Sequence, residues 1–276
     1  GVTTIGSASA SNTVANISGT GGGMLSGIAV GQTTNAGNTS VFGNTVRGLR
    51  LASGHIMGLT VNSLATGTSS HLIAENSIDS LIASTVAGNQ IVVAGIYLAG
   101  GQYGTDIVEK NKVYSLLSVN TNVASEVIGI WGVSGLASYR NNMIGVGSGV
   151  TANCRIYGIN LRSAIAGNTI DYNTIHISGS GLVGSGNAQT SAALLLGGSS
   201  TASGTYPLWT GVVTGHNVTQ TIRNNIFSNI RSGTSGNHYA LWQHTTAANS
   251  SVFQHNNYTV TANFGLPNGG WLGYWG

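Results

Sequence analysis

Charge is scarce in this chain of 276 residues: Asp, Glu, Lys and Arg together make up 5% of it, against roughly 25% in an average soluble domain. Nine Lys/Arg and six Asp/Glu leave a net charge of +3 with no basic cluster. That excludes the dense cationic face that nucleic acid requires. The single cysteine, Cys154, excludes an internal disulfide and reads as a small buried side chain. Two prolines are too few to interrupt long strands. No apolar run approaches the ~18–20 residues of a spanning helix, so no membrane insertion is expected. No signal-peptide pattern stands at Gly1, and the chain reads as a section of a longer protein. The histidines His55, His71, His176, His216, His238, His244 and His255 lack zinc-type spacing. Gly19 to Gly23 lacks the Lys-Ser/Thr ending of a phosphate loop. No metal and no cofactor is expected.

What the chain does have is glycine, 43 of them, small polar residues throughout, and 41% hydrophobic residues. That apolar content separates it from disordered sequences. It is arranged in a repeat. Asn, any residue, then an apolar residue recurs at Asn12, Asn44, Asn76, Asn111, Asn142, Asn173 and Asn225, and the series ends at Asn257-Tyr258-Thr259. The steps are 32, 32, 35, 31, 31, 52 and 32 residues. Between successive Asn motifs lies a small residue followed by apolar, any, apolar, as in Gly58-Leu59-Thr60-Val61 and Gly158-Ile159-Asn160-Leu161. A third short run, such as His71-Leu72-Ile73-Ala74, leads into each Asn.

Three short strands in each repeat of about 32 residues predict a β-solenoid. The expected class is all-β: a single-stranded right-handed parallel β-helix of about eight coils, forming one domain over 1–276. Leucine-rich repeats have a similar length, but their Leu-x-x-Leu-x-Leu spacing is missing. The long step from Asn173 to Asn225 predicts a loop insertion around 179–215, with Tyr206-Pro207-Leu208-Trp209 as its apolar tip.

Stacking coils about 4.8 Å apart places equivalent side chains over one another. The repeated Asn is expected at a sharp bend with unusual backbone angles, its amide bonded to the Asn above and below in a ladder. Two residues before the late asparagines stand Glu109, Arg140, Asp171, Arg223 and His255. This predicts a ladder of stacked salt bridges that fixes register, each pair worth about 0.2–1 kcal/mol. In the apolar-x-apolar strands the x position is expected to face outward, reading Ala29, Thr60, Tyr97, Trp131, Asn160, Leu195 and Trp242. Exposed Tyr97, Trp131, Asn160 and Trp242 would suit a neutral polysaccharide, by stacking and hydrogen bonding.

Catalysis has little to draw on. Glycoside hydrolysis needs two carboxylates across one sugar, and the acids are Glu75, Asp79, Asp106, Glu109, Glu126 and Asp171. Glu109 and Asp171 align two coils apart, a separation of roughly 9–10 Å at the coil spacing. With Arg140 between them both would be held ionised, which removes the general acid. No carboxylate cluster fits a calcium-assisted lyase. No column repeats threonine regularly, as an ice-binding face would.

The segment Ile222-Arg223-Asn224-Asn225-Ile226-Phe227-Ser228-Asn229, with Tyr239-Ala240-Leu241, Asn256-Asn257-Tyr258 and the closing Leu272-Gly273-Tyr274-Trp275-Gly276, resembles the β-helix regions of large secreted Bacteroidota-type proteins. Those proteins carry a separate C-terminal sorting domain, which is absent from this sequence. The resemblance implies export to the cell surface or the medium and no particular activity. Asp79-Ser80-Leu81 is similar to the short O-glycosylation motif of those bacteria, but an ordinary turn is the preferred reading of so short a match. The expected function is a non-enzymatic structural or adhesive surface solenoid whose copies stack end to end into a rod or filament. The alternatives are a carbohydrate-binding module and a polysaccharide lyase or glycoside hydrolase.

Overall fold

A computed structural model describes residues 2–7, 9–32, 37–63, 69–86, 88–99, 105–122, 124–152, 154–162, 165–180, 191–197, 218–232, 238–243, 251–260 and 271–275. It is an all-β parallel solenoid with three strands per coil and three sheets along its length. Sheet 1 holds the strands that lead into each Asn, from Val2–Ile5 through His71–Ala74 and Leu136–Arg140 to Val252–Gln254. Sheet 2 holds the strands after each Asn, from Thr13–Ala15 through Lys112–Ser118 to Asn257–Val260. Sheet 3 holds the longer strands, from Met24–Gln32 through Glu126–Ser134 to Trp271–Trp275. Pairing between these strands is parallel, one coil on the next. Each sheet path has eight strands, of which two are edges. About six turns are therefore stacked on both sides, slightly fewer than the eight coils read from the Asn spacing.

The strands form because β-branched and aliphatic residues alternate with polar ones. In Asn38–Phe42 and Thr105–Glu109 alternate positions are buried, the period of a strand with one face inward. Stacking then makes columns. Val41, Ile73, Val108, Tyr139, Ile170 and Ile222 follow one another in sheet 1. Val46, Ile78, Val113, Ile144, Ile175 and Phe227 do so in sheet 2. Leu59, Ile96, Ile130, Ile159, Leu194 and Leu241 do so in sheet 3. All of these side chains belong to one continuous core.

The small residue opening each apolar-x-apolar motif is set by the distance between sheets 2 and 3. A Cβ on Gly95 would lie 2.3 Å from Val113 Cγ1 and 2.7 Å from the Gly129 carbonyl oxygen. Gly27, Gly58, Gly129 and Gly158 are equally confined, while the corresponding positions in later coils are Ala193 and Ala240. Gly132 shows packing traded between columns. Its neighbours in register are Leu98 and Leu161, and a Cβ there would meet Tyr139 Oη at 2.2 Å. Tyr139, a large aromatic in the sheet 1 column, thus fills the space that Gly132 leaves.

The extra residues between Asn173 and Asn225 fall on either side of a regular sheet 3 strand, Ser191–Leu196, which pairs with Arg155–Leu161 and His238–Gln243. The apolar tip Tyr206-Pro207-Leu208-Trp209 lies outside the described residues.

Candidate functional site

At the corner between sheets 1 and 2, Asn12, Asn44, Asn76, Asn111, Asn142, Asn173, Asn225 and Asn256 form one continuous ladder. Each Nδ2 donates to the Oδ1 of the Asn one coil on, at 2.9–3.0 Å. The same Oδ1 also accepts the backbone N–H of the preceding Asn. The second N–H turns back to a sheet 1 carbonyl of the coil before, as from Asn111 to Ile73 at 2.8 Å. Interior amides are therefore both buried and saturated, which removes the penalty of placing them there.

Two expectations need correcting. The last member is Asn256 and not Asn257: Asn225 donates to Asn256, whereas Asn257 is exposed and lies opposite Ile226. Adjacent asparagines offered two frames, and the frame adopted stacks Tyr258 on Phe227, with ring centroids 5.7 Å apart. The left-handed backbone expected at the ladder residues sits one residue earlier, at Gly43, Glu75, Lys110, Asn141, Tyr172, Asn224 and His255. A non-glycine residue there costs roughly 1–2 kcal/mol, and the saturated amide that follows is what holds the corner in place.

Glu109, Arg140, Asp171 and Arg223 share one register line in sheet 1. The line is two clamps instead of a continuous ladder. Arg140 pairs with Glu109, and Arg223 grips both oxygens of Asp171, at 3.0 and 3.3 Å. Among the described residues no ion pair joins Arg140 to Asp171. His255 is not in this line: Gln254 lies opposite Arg223, and His255 takes the left-handed corner. A further pair, Lys110 with Glu75 at 3.4 Å, spans neighbouring coils on that corner.

The x column of sheet 3 is in register as read, from Ala29 through Thr60, Tyr97, Trp131, Asn160 and Leu195 to Trp242. It faces away from the main core, but beyond Ala29, which is exposed, it is covered: Thr60 through Leu195 are buried. Tyr97 is 5% exposed, Trp131 2% and Asn160 0%, and Trp242 is half-buried. The Tyr97 and Trp131 rings are thereby closed to a polysaccharide at the surface, while Trp242 is only partly covered. They belong to a second apolar cluster with Met57, Ile128, Tyr157, Ala192 and Tyr239. Tyr97 meets Trp131 edge-on, centroids 5.1 Å apart.

Arg162 accounts for part of this burial. It lies seven residues beyond Arg155, the register partner of Glu126, yet its guanidinium reaches both Glu126 oxygens, at 2.9 and 3.0 Å. On the way it lies over the Trp131 ring, 5.0 Å from the centroid. The Arg162 side chain is therefore laid along the outer face of sheet 3. Asn160, alongside, is buried with no described partner for either amide atom.

One titratable column escaped the sequence reading. Thr39, His71, Asp106 and Ala137 share an inward register line in sheet 1. Asp106 accepts the His71 backbone N–H at 2.8 Å. Burial pushes its carboxyl up to about 7, against the opposing pull of that N–H. Burial also lowers the imidazoles of His71 and His55. The 35-residue spacing from His71 to Asp106 equals the step from Asn76 to Asn111, and that was the signal that could have placed them. His238 faces inward, bonded through Nδ1 to Ser191 Oγ at 2.8 Å. Burial, then Arg231, lowers it to about 4. His244 lies outside the described residues. Among the described residues no group of three His, Cys, Asp or Glu could hold a metal ion, and no helix is long and apolar enough to cross a membrane.

Ser80 takes a left-handed φ of 57° and donates to Asp79 at 2.7 Å, and Leu81 is in the core. Asp79-Ser80-Leu81 thus lies inside the sheet 2 strand Ser77–Ala83, with a left-handed kink at Ser80, and is not a separate turn. No family model, no curated protein and no solved structure matches this chain.

Proposed function

We propose that this chain is a non-enzymatic, extracellular structural or adhesive solenoid, a rigid section of a surface rod or filament. The observation that carries the reading is how its six carboxylates are used. Glu75, Glu109, Glu126 and Asp171 are each paired with a cation, Asp79 is held by Ser80, and Asp106 is 1% exposed inside the core. Five of the acids are thus engaged by a neighbouring side chain, and the sixth, Asp106, is closed off inside the core. None is left to work with a second acid across a substrate, as glycosidic cleavage requires. The extracellular setting rests on the Bacteroidota-type resemblance of the segment after residue 220 and on the scarcity of charge.

The test is electrophoresis through native gels containing a panel of polysaccharides, stained afterwards for clearing. Migration unchanged in every gel, with no clearing, is the expected result. A cleared zone overturns the non-enzymatic reading.

A second reading, carbohydrate binding, has one observation in its favour, on another face. Tyr114 is 44% exposed on the outer side of sheet 2, with Gly145 beside it in register, and Tyr172 is 59% exposed at the neighbouring corner. Retardation lost in Tyr114→Ala but kept in Trp131→Phe would favour it over the purely structural reading.

A further inference from the structure

The buried amides of the corner ladder are saturated; one on the outer side of sheet 3 is not. Asn160 is 0% exposed, and among the described residues neither its Oδ1 nor its Nδ2 has a hydrogen-bond partner. One coil earlier in the same register line, Trp131 is 2% exposed, and its indole N–H is likewise without an acceptor among the described residues. Two neighbouring coils, about 4.8 Å apart, thus hold one acceptor and two kinds of donor, all shut away from solvent and unused. Each such group costs about 1–3 kcal/mol, and native structures pair nearly all of them.

The rings around these groups are set about a small residue. Beside the line of Trp131, Asn160 and Leu195 runs the line of Ile128, Tyr157, Ala192 and Tyr239. Tyr157 and Tyr239 stand in the coils on either side of Ala192. About two coil spacings, roughly 9–10 Å, therefore separate them, with only a methyl group between. Trp131 contributes its N–H and not its face, which lies under the Arg162 guanidinium. Trp242, in register two coils beyond Asn160, is only half-buried and marks the side from which the row is reached.

The chemistry of the row selects among ligands. A purely apolar molecule would leave the amide and the indole N–H orphaned. An anion would be set against Asn160 Oδ1 and against Glu126 on the same face. A cation would meet Arg155 and Arg162, which already outnumber Glu126 there. What remains is a neutral molecule whose rim both donates and accepts hydrogen bonds and whose flat side is apolar. A pyranose has this form, with hydroxyls at its rim and C–H groups on its face.

We propose that Asn160 and the Trp131 N–H bind a single neutral sugar unit, its hydroxyls on the amide and the indole N–H and its C–H face against the Tyr157 ring. This rests on the adhesive side of the reading above and names its ligand class. An enclosed site takes the end of a glycan and not the middle of a polymer, so migration through gels of long polysaccharides stays unchanged.

The experiment is isothermal titration calorimetry of the purified chain with the methyl glycosides of glucose, galactose, mannose, fucose and N-acetylglucosamine, each at millimolar concentration. Saturable binding of at least one, accompanied by a rise in melting temperature, is the expected result. Asn160→Leu should abolish it without lowering the melting temperature of the free chain, because leucine already stands one coil on, at Leu195. Trp131→Phe keeps an aromatic ring and deletes the N–H, and should weaken binding about tenfold, the loss of one hydrogen bond. Tyr114→Ala, on the other sheet, should bind as the unmodified chain does. No heat with any glycoside overturns the proposal and leaves the amide to water. Binding that survives Asn160→Leu overturns it as well, and places the sugar elsewhere. Cleared zones in the polysaccharide gels would instead strike the non-enzymatic reading and leave the titration to stand by itself.

Discussion

Asn111→Ala is the sharpest perturbation of the ladder. The substitution deletes four hydrogen bonds at once. Asn111 gives Nδ2 hydrogens to Asn142 Oδ1 at 3.0 Å and to the Ile73 carbonyl at 2.8 Å, and its Oδ1 takes the Asn76 backbone N–H and Nδ2, both at 3.0 Å. Asn76 and Asn111 are 1% and 0% exposed, so water cannot replace what is lost. Two donors of Asn76 are left without an acceptor, and each orphaned buried group costs about 1–3 kcal/mol. The expected loss is therefore about 4 kcal/mol by equilibrium urea unfolding. Asn12→Ala is the internal control. It removes one side-chain donor from an exposed end position and orphans no buried donor, so the same assay should return under about 1 kcal/mol. Asn111→Asp separates the two halves of the role. Its carboxylate can still accept from Asn76 but faces the Ile73 carbonyl and Asn142 Oδ1 with no hydrogen to give; protonation restores one donor, so this variant should recover stability as pH falls. Equal losses at Asn111 and Asn12, or a loss at Asn111 below about 1 kcal/mol, would refute the claim that amide saturation holds the corner.

Two further outcomes follow from the buried polar groups. Asp106 has its carboxyl raised by burial to about 7, so its contribution to stability is complete below about pH 4 and is lost as pH rises through 7. His238, lowered to about 4, has the opposite sign, its contribution being complete above about pH 6.5 and lost as pH falls towards 4. Asp106→Asn keeps the acceptor for His71 and cannot ionise, so its unfolding free energy from urea titration, relative to the unmodified chain, should rise by on the order of 3 kcal/mol between pH 4.5 and 7.5; a constant offset would contradict this. Asn160→Leu replaces a fully buried amide lacking described partners with the residue found one coil on, Leu195. It should stabilise by about 1–2 kcal/mol, and a loss of more than 1 kcal/mol would mean that the amide is satisfied in solution.

The repeat was legible because coil stacking imposes the same requirement on the same column in every turn. Ile and Val recur inward, Asn recurs at the corner, and Gly recurs where sheets 2 and 3 meet too closely for a Cβ. A single sequence then contains its own alignment, eight times over. What was not legible lies where a column changes its chemistry from coil to coil. Nothing at Thr39, His71 or Ala137 announces that Asp106 between them is buried. The choice between Asn256 and Asn257 depended on a Tyr258–Phe227 contact that only the three-dimensional register supplies. The position of the left-handed residue, one before the Asn, was hidden because Glu75, Lys110 and Tyr172 are not residues that advertise that conformation.

The outer column of sheet 3 is the instructive failure. Alternation predicted correctly that Tyr97, Trp131 and Asn160 point away from the main core, but pointing away is not the same as meeting solvent. Arg162, standing seven residues along the strand from the partner of Glu126, closes over Trp131 because two charges in a nearly uncharged chain find each other across an apolar face. Long arginine side chains can cover much apolar surface while keeping their head groups paired, and a strand pattern carries no information about that reach. Sheet 2 differs for a physical reason. Around Tyr114 the outward neighbours in register are Asp79 and Gly145, both too short to lie over a ring, and Tyr114 stays exposed. In a solenoid of this kind, the aromatic that meets solvent is therefore the one whose stacked neighbours are small, and a search for a binding face should start from the column's small residues before its large ones.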